Sequence, residues 1–132
     1  MGTRQYYVAV FGNPGDPPQK DPVESGRYEP DARYAPRLRR GDLMLLYCTE
    51  GYPGFPRQIP GVGEVTTVDD EAVVSYRWVP FDDPIPKALM DQSFDADDVQ
   101  SLRNIRFSTK WLFEISERSF RQTVSNRPEV PI

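Results

Sequence analysis

The chemistry open to this 132-residue chain is limited by the residue types that it lacks. The sequence contains no histidine and a single cysteine, Cys48. Ser-His-Asp and Cys-His catalysis and the common zinc sites are therefore excluded, and any reaction would depend on carboxylates, lysine, tyrosine or arginine. Cys48 lies in an apolar run, which indicates a buried, inert thiol that has no partner for an internal disulfide.

One acidic cluster contains residue types that bind metal ions: Asp95, Asp97 and Asp98. No glycine-bearing calcium-loop spacing surrounds it. The cluster instead opens a helical pattern, with Asp95 as the N-cap and the other two carboxylates in the first turn, where they favour the helix dipole. We interpret it as a helix start, and the sequence predicts neither a metal nor a cofactor.

The most distinctive stretch is 41–65, in which two apolar runs flank a loop rich in proline, glycine and aromatics. The first run, 42–49, is almost wholly apolar, which predicts a strand buried on both faces. The loop is too long for a tight hairpin turn, and its prolines make it stiff. We therefore expect Tyr52, Phe55 and Arg57 to be held in fixed positions at one end of a sheet.

The second run of that stretch contains Gly61 and Gly63. Glycine removes the side chain from a strand, and it usually marks a bulge or a place where another group approaches the backbone closely. We expect such an approach here.

The remaining elements follow from periodicity and from turn residues. Strands are predicted at 5–11, 42–49, 59–68, 72–81 and 106–116, and helical segments at 31–40, 87–90, 95–103 and 117–124. Prolines at 82–86 predict a break in the sheet, and the tail 126–132 is expected to fray unless it docks.

These elements predict one domain that spans residues 1–132 and belongs to the α+β class. Mostly neighbouring, antiparallel connections favour a small, partly closed β-barrel of five to six strands with short helices at its rim. Barrels of this kind bind ligands at their mouths, where loops converge.

Charge is unevenly distributed along the chain. The net charge is −4, but segment 64–98 carries −8, whereas 1–63 carries +1 and 99–132 carries +3. If the first and last segments meet, one face is basic despite the acidic total. No apolar stretch reaches the roughly 20 residues of a membrane span, and no signal peptide is evident, so we expect a cytoplasmic protein without a membrane partner.

Several motifs together resemble the EVE domain, a member of the PUA-like group that also includes the YTH and ASCH domains. They are YYVAVFGNP at 6–14, the arginine- and tyrosine-containing segment that leads into GDLMLLY at 41–47, GVGEV at 61–65, and the closing strand and helix at 107–120. The resemblance covers most of the chain in order.

This resemblance implies a PUA-like β-barrel whose mouth accepts one nucleobase, often a modified one, turned out of a duplex or taken from a single strand. The implied partner is DNA or RNA that carries a modified base. Because relatives occur fused to or beside modification-dependent nucleases, a nuclease or another effector is a further expected partner.

A flipped base needs aromatic or apolar walls, short polar groups for its hydrogen-bonding edge, and cations for the flanking phosphates. The candidate base-binding residues are Asn13, Tyr34, Tyr47, Thr49, Tyr52, Phe55, Ser108 and Trp111. The candidate phosphate-binding residues are Arg33, Arg37, Arg57, Arg106 and Lys110. Any one of the aromatics could instead pack in the core.

Two other function classes remain open. The first is an ASCH-like hydrolase that acts on a modified nucleoside, for which Lys110 and Glu114 are the pair to test. Four residues along a strand separate them by about 13 Å, which is too far for one catalytic dyad. The second is a protein-interaction domain without a small ligand.

Overall fold

The structure is a computed structural model that describes residues 4–12, 23, 25–29, 37–50, 52, 54–103 and 112–131. Its elements are β1 (Tyr6–Phe11), β2 (Arg27–Tyr28), β3 (Leu43–Cys48), β4 (Gln58–Val68), β5 (Val74–Pro86), α1 (Lys87–Ser93), α2 (Ala96–Arg103), β6 (Leu112–Ile115) and α3 (Glu117–Thr123). Residues 31–36 of the helix predicted at 31–40 and residues 106–111 of the strand predicted at 106–116 lie outside the described residues.

The six strands form one sheet in the order β2-β5-β4-β3-β1-β6, curled into a half-barrel. The expectation of an α+β fold with a small β-barrel is thus confirmed in its coarse form. The sheet is mixed, because β1 pairs in parallel with β3, while the other neighbours pair antiparallel. The expectation was based on pairing between strands that are consecutive in the sequence, so it did not include this parallel pair. The two strands of the pair are separated by a long segment of chain.

Strands β1 and β3 are buried along their whole length, as the apolar run of β3 predicts. Alternate side chains of a strand point to opposite faces, so this pair needs cover on both sides. On one side, the helix face, Tyr6, Val8, Leu43, Leu45 and Tyr47 pack against Met90, Leu102 and Phe120. On the other, the tyrosine face, Tyr7, Met44, Leu46 and Cys48 pack with Tyr28, Tyr52 and Tyr76.

The acidic cluster joins two helices. Asp98 accepts hydrogen bonds from the Ser116 backbone N–H at 3.1 Å and from the Ser119 hydroxyl at 2.6 Å. Ser116 caps α3 by accepting from the Ser119 N–H, and its own hydroxyl donates to Asp95 at 2.6 Å. These carboxylates therefore fix α2 against the start of α3. No group of three or more potential metal-ligating side chains occurs in the described part of the chain.

The predicted sheet break at 82–86 is wrong, because β5 continues to Pro86. On one side of β5, strand β4 pairs along its length. On the other side, among the described residues, β2 pairs with Val74 and Ser75 alone. Proline is tolerated on such an edge because its missing N–H leaves no ladder bond unmade.

The C-terminal tail docks instead of fraying. Val130 is buried in the helix-face cluster, and the Arg4 guanidinium donates to the Pro131 carbonyl at 2.9 Å. Among the described helices, none has the length and apolarity that crossing a membrane requires.

Gly61 and Gly63 lie on the tyrosine face of β4, and the expected close approach occurs there. A Cβ atom at Gly61 would lie 2.6 Å from the Trp78 ring, and one at Gly63 would lie 2.7 Å from the Tyr76 ring. At Gly61 the Val79 carbonyl oxygen would lie closer still, so the approaching groups are both rings and backbone of the neighbouring strand β5.

We expect Gly61→Ala to lower the free energy of unfolding by about 1–3 kcal/mol, because the added methyl group overpacks the strand pair. Urea unfolding would measure the loss. Thr67→Ala, at an exposed position of the same strand, is the matched control and should change stability by less than about 0.5 kcal/mol. Equal stability of the two variants would contradict this account of the glycine.

Candidate ligand-binding end of the sheet

Six of the thirteen predicted site residues belong to the described structure: Arg37, Tyr47, Thr49, Tyr52, Phe55 and Arg57. The other seven lie outside the described residues: Asn13, Arg33, Tyr34, Arg106, Ser108, Lys110 and Trp111. Five of the six described residues surround the connection between β3 and β4.

The carbonyl of Thr49 closes this connection. It accepts hydrogen bonds from the backbone N–H of Tyr52 at 3.0 Å and of Arg57 at 3.4 Å, while the Thr49 N–H donates to the Phe11 carbonyl. Arg57 adopts a left-handed backbone conformation with φ of 58°. For a residue other than glycine this conformation costs about 1–3 kcal/mol, and such residues cluster at functional sites. The loop is thus closed tightly, and it presents Arg57 at the strand end.

Two predicted base-binding aromatics lie on the tyrosine face. The Tyr52 side chain is 2% exposed, and its hydroxyl accepts a hydrogen bond from the Val23 N–H at 3.3 Å. The Phe55 ring is half-buried, and its centroid lies 6.4 Å from that of Tyr52. Trp78 is also half-buried against the same cluster. The Tyr52 ring is therefore buried behind this face, whereas the rings of Phe55 and Trp78 remain partly exposed to solvent.

Tyrosine hydroxyls tie the surrounding backbone to this face. Tyr76 donates to the Val23 carbonyl at 2.5 Å, Tyr28 donates to the Val10 carbonyl at 3.2 Å, and Tyr7 donates to the Arg37 carbonyl at 3.4 Å. Burial raises the pKa of Tyr28 and, with help from the Asp42 charge, raises that of Tyr7 to about 12. These phenols consequently remain neutral hydrogen-bond donors at physiological pH.

Tyr47 lies on the opposite side of the sheet from Tyr52. It belongs to the helix-face cluster, so the structure does not bring these two predicted walls together. Burial raises the pKa of Tyr47, and the charge of Arg57 opposes that rise while the charge of Asp91 adds to it.

Arg37 is exposed, and its carbonyl receives the Tyr7 hydroxyl. Glu114, half of the pair considered for hydrolysis, is exposed on β6, where it lies opposite Tyr7 in the register. The structure assigns no described partner to it that would favour a catalytic role.

Sequence reasoning missed Lys87 at this end of the sheet, and it missed Trp78, which lies on the tyrosine face opposite Gly63 in the register, towards the other end of β3. The glycines of β4 signalled that a group lies against the strand, but only the register identifies that group as the Trp78 ring. No local sequence pattern identified Lys87 as a candidate site residue. It becomes part of this end because its backbone N–H donates to the Arg57 carbonyl at 3.0 Å.

Comparison with known proteins supports the fold alone. No family model matches this chain, and no curated protein matches it either. The chain is similar to the NMR structure of Rpa0253 from Rhodopseudomonas palustris, a structural genomics target, with 15% sequence identity and a TM-score of 0.58. That similarity covers 92% of this chain and 91% of the other.

We expect stability to fall as the pH rises from about 10 towards 12. The folded state keeps Tyr7 protonated over this range, whereas the unfolded chain loses the proton near pH 10, so the unfolded state binds fewer protons and gains in relative stability. Urea unfolding at several pH values would measure this slope. Tyr7→Phe should make the slope shallower, and an unchanged slope in that variant would contradict the assignment.

Proposed function

We propose that this protein is a non-catalytic nucleic-acid-binding module that holds a single flipped, modified nucleobase at the end of its sheet. The base stacks on half-buried aromatic rings of the tyrosine face, and the phosphates beside it contact arginine. The ligand of this module is DNA or RNA that carries a modified base.

The observation that supports this proposal is the pairing of Phe55 and Arg57 on one closed loop. Phe55 presents part of a ring whose other side packs against the core, which is the arrangement that a stacking platform needs. Arg57, two residues further on, is exposed and forms no salt bridge with any residue that the structure describes. An aromatic surface and a cation at this spacing suit a base and its phosphate.

The buried tyrosines contribute rigidity to this proposed pocket. Tyr52 contacts the Phe55 ring and is itself held by Val23, so the platform does not need to be ordered when a ligand binds. Pre-ordered side chains bind with less loss of conformational entropy. Trp78 is a second half-buried ring on the same face, but it lies opposite Gly63, away from this loop, and is not part of the proposed platform.

The first test is a fluorescence-anisotropy titration against matched oligonucleotides at two salt concentrations. The probes are single- and double-stranded and carry unmodified, methylated or hydroxymethylated bases. Preference for one modified probe is the expected result, because a shaped pocket discriminates between base edges whereas a basic surface does not. Equal, salt-sensitive binding to all probes, or no binding at low salt, would contradict the proposal.

We expect Phe55→Ala to weaken binding of the preferred probe by about 5- to 150-fold, which corresponds to the roughly 1–3 kcal/mol of one base–aromatic stack. Phe55→Leu keeps apolar bulk against Tyr52 but removes the aromatic ring, so it should show most of the same loss. Leu89→Ala, which truncates an exposed leucine lining the cleft between α1 and α3, is the control and should bind as the parent does. Unchanged affinity in both Phe55 variants would exclude Phe55 as the platform.

A further inference from the structure

One polar side chain lies on the same face of the sheet as the Phe55 ring. Gln58, the first residue of β4, lies directly opposite Cys48 of β3 in the register. Residues that lie opposite each other in an antiparallel pair share a face, and Cys48 belongs to the tyrosine-face cluster against which Phe55 packs. The next residue, Ile59, belongs to the helix-face cluster, as alternation requires. The Gln58 side chain therefore leaves the strand on the tyrosine face.

A tight turn fixes Gln58 next to Phe55. The Gln58 N–H donates to the Phe55 carbonyl at 3.3 Å, which closes a turn of four residues. Pro56 occupies the second position of this turn, and Arg57, with its φ of 58°, occupies the third. Proline followed by a residue with positive φ is the signature of a type II turn, in which the first and last α-carbons lie within roughly 7 Å. The left-handed conformation of Arg57 thus brings the ring and the amide side by side.

The carboxamide of Gln58 is available to a ligand. An amide side chain carries two N–H donors and one carbonyl acceptor. Within the described part of the chain, only the backbone of Gln58 takes part in hydrogen bonds, and its half-buried carboxamide has no partner. A neutral donor and acceptor thus lie beside the partly exposed ring, which suits the edge of an uncharged ring system.

We propose that Gln58 determines specificity at this site by hydrogen-bonding the edge of the base that stacks on Phe55, and that this base is of the adenine type. The inference rests on the proposed function and names the ligand class of the same site.

The choice of adenine follows from the pattern of donors and acceptors. A carboxamide matches an edge on which a donor lies next to an acceptor, and adenine presents this pair through its N6 amino group and N7. On the Watson–Crick edge, adenine presents a second such pair through N6 and N1, so either edge fits. Guanine has two acceptors where adenine has N6 and N7, and cytosine and thymine present only one polar group there. Each of these three bases therefore fits through one edge alone.

The test combines one change in the protein with one change in the base. Two oligonucleotides differ at the target position, where one carries adenine and the other carries purine, which lacks the N6 amino group. The parent protein should bind the adenine probe at least about fivefold more tightly, the lower end for one bidentate pair. Gln58→Leu keeps the bulk but loses the amide, so it should bind the two probes within about twofold of each other. Gln58→Glu keeps an acceptor for the amino group and should retain a preference for adenine.

Gln100→Leu is the matched control, because it makes the same substitution at an exposed glutamine of α2. It should keep the full preference of the parent for the adenine probe. Equal binding of the two probes by the parent, or an undiminished preference in Gln58→Leu, would overturn the inference.

A second readout separates this inference from the proposed function. Adenosine and purine riboside are titrated in turn into ¹⁵N-labelled protein, and the side-chain amide signals of Gln58 and Gln100 are followed. Shifts of Gln58 alone, larger with adenosine than with purine riboside, support the inference even when no oligonucleotide binds, in which case only the nucleic-acid function fails. Oligonucleotide binding that depends on Phe55 but not on Gln58, without these shifts, would overturn the inference and leave the proposed function standing. The absence of both responses would overturn both.

Discussion

The burial of β1 and β3 on both faces is the constraint on which the rest of the structure depends. A strand pair with no exposed residue needs cover on either side. Helices α1, α2 and α3 cover one side with apolar side chains. The other side is covered largely by tyrosines, whose hydroxyls must find partners when they are buried. They find them in backbone groups of Val10, Val23 and Arg37, so the same side chains that fill this face also hold the chain segments lying over it.

The candidate site follows from where that buried pair ends. After Cys48 the chain must leave the core and return as β4, and the Thr49 carbonyl holds both ends of the crossing. Because the loop is fixed at its base, the half-buried ring of Phe55 and the exposed guanidinium of Arg57 lie at defined positions beside the strand ends. Lys87 arrives at the same place because β5 is long enough to pair with the start of β4. The groups on which the proposed function depends thus lie where three strands terminate.

Much of the fold could be predicted from local patterns. The buried strand β3, the helix start at Asp95 and the closing helix α3 all occur as expected, because each depends on neighbours within a few residues. The parallel pairing of β1 with β3 and the continuation of β5 through its prolines could not be predicted this way. Both depend on which strands become neighbours. For the site, the loop residues Tyr52, Phe55 and Arg57 were identified by composition, but composition could not tell that Tyr47 faces the other side from Tyr52.

The sequence by itself determined which chemistry is open: without histidine and with a single cysteine in an apolar run, any reaction would depend on carboxylates, lysine, tyrosine or arginine. It also determined that β4 would be approached closely, since glycine leaves space wherever it lies in a strand. Only the tertiary structure decided that the Trp78 and Tyr76 rings fill that space, and that Lys87 stands beside Arg57. The physical reason is that strand register is set by the packing of both faces at once, and contacts between strands distant in sequence leave no trace in the local pattern of either strand.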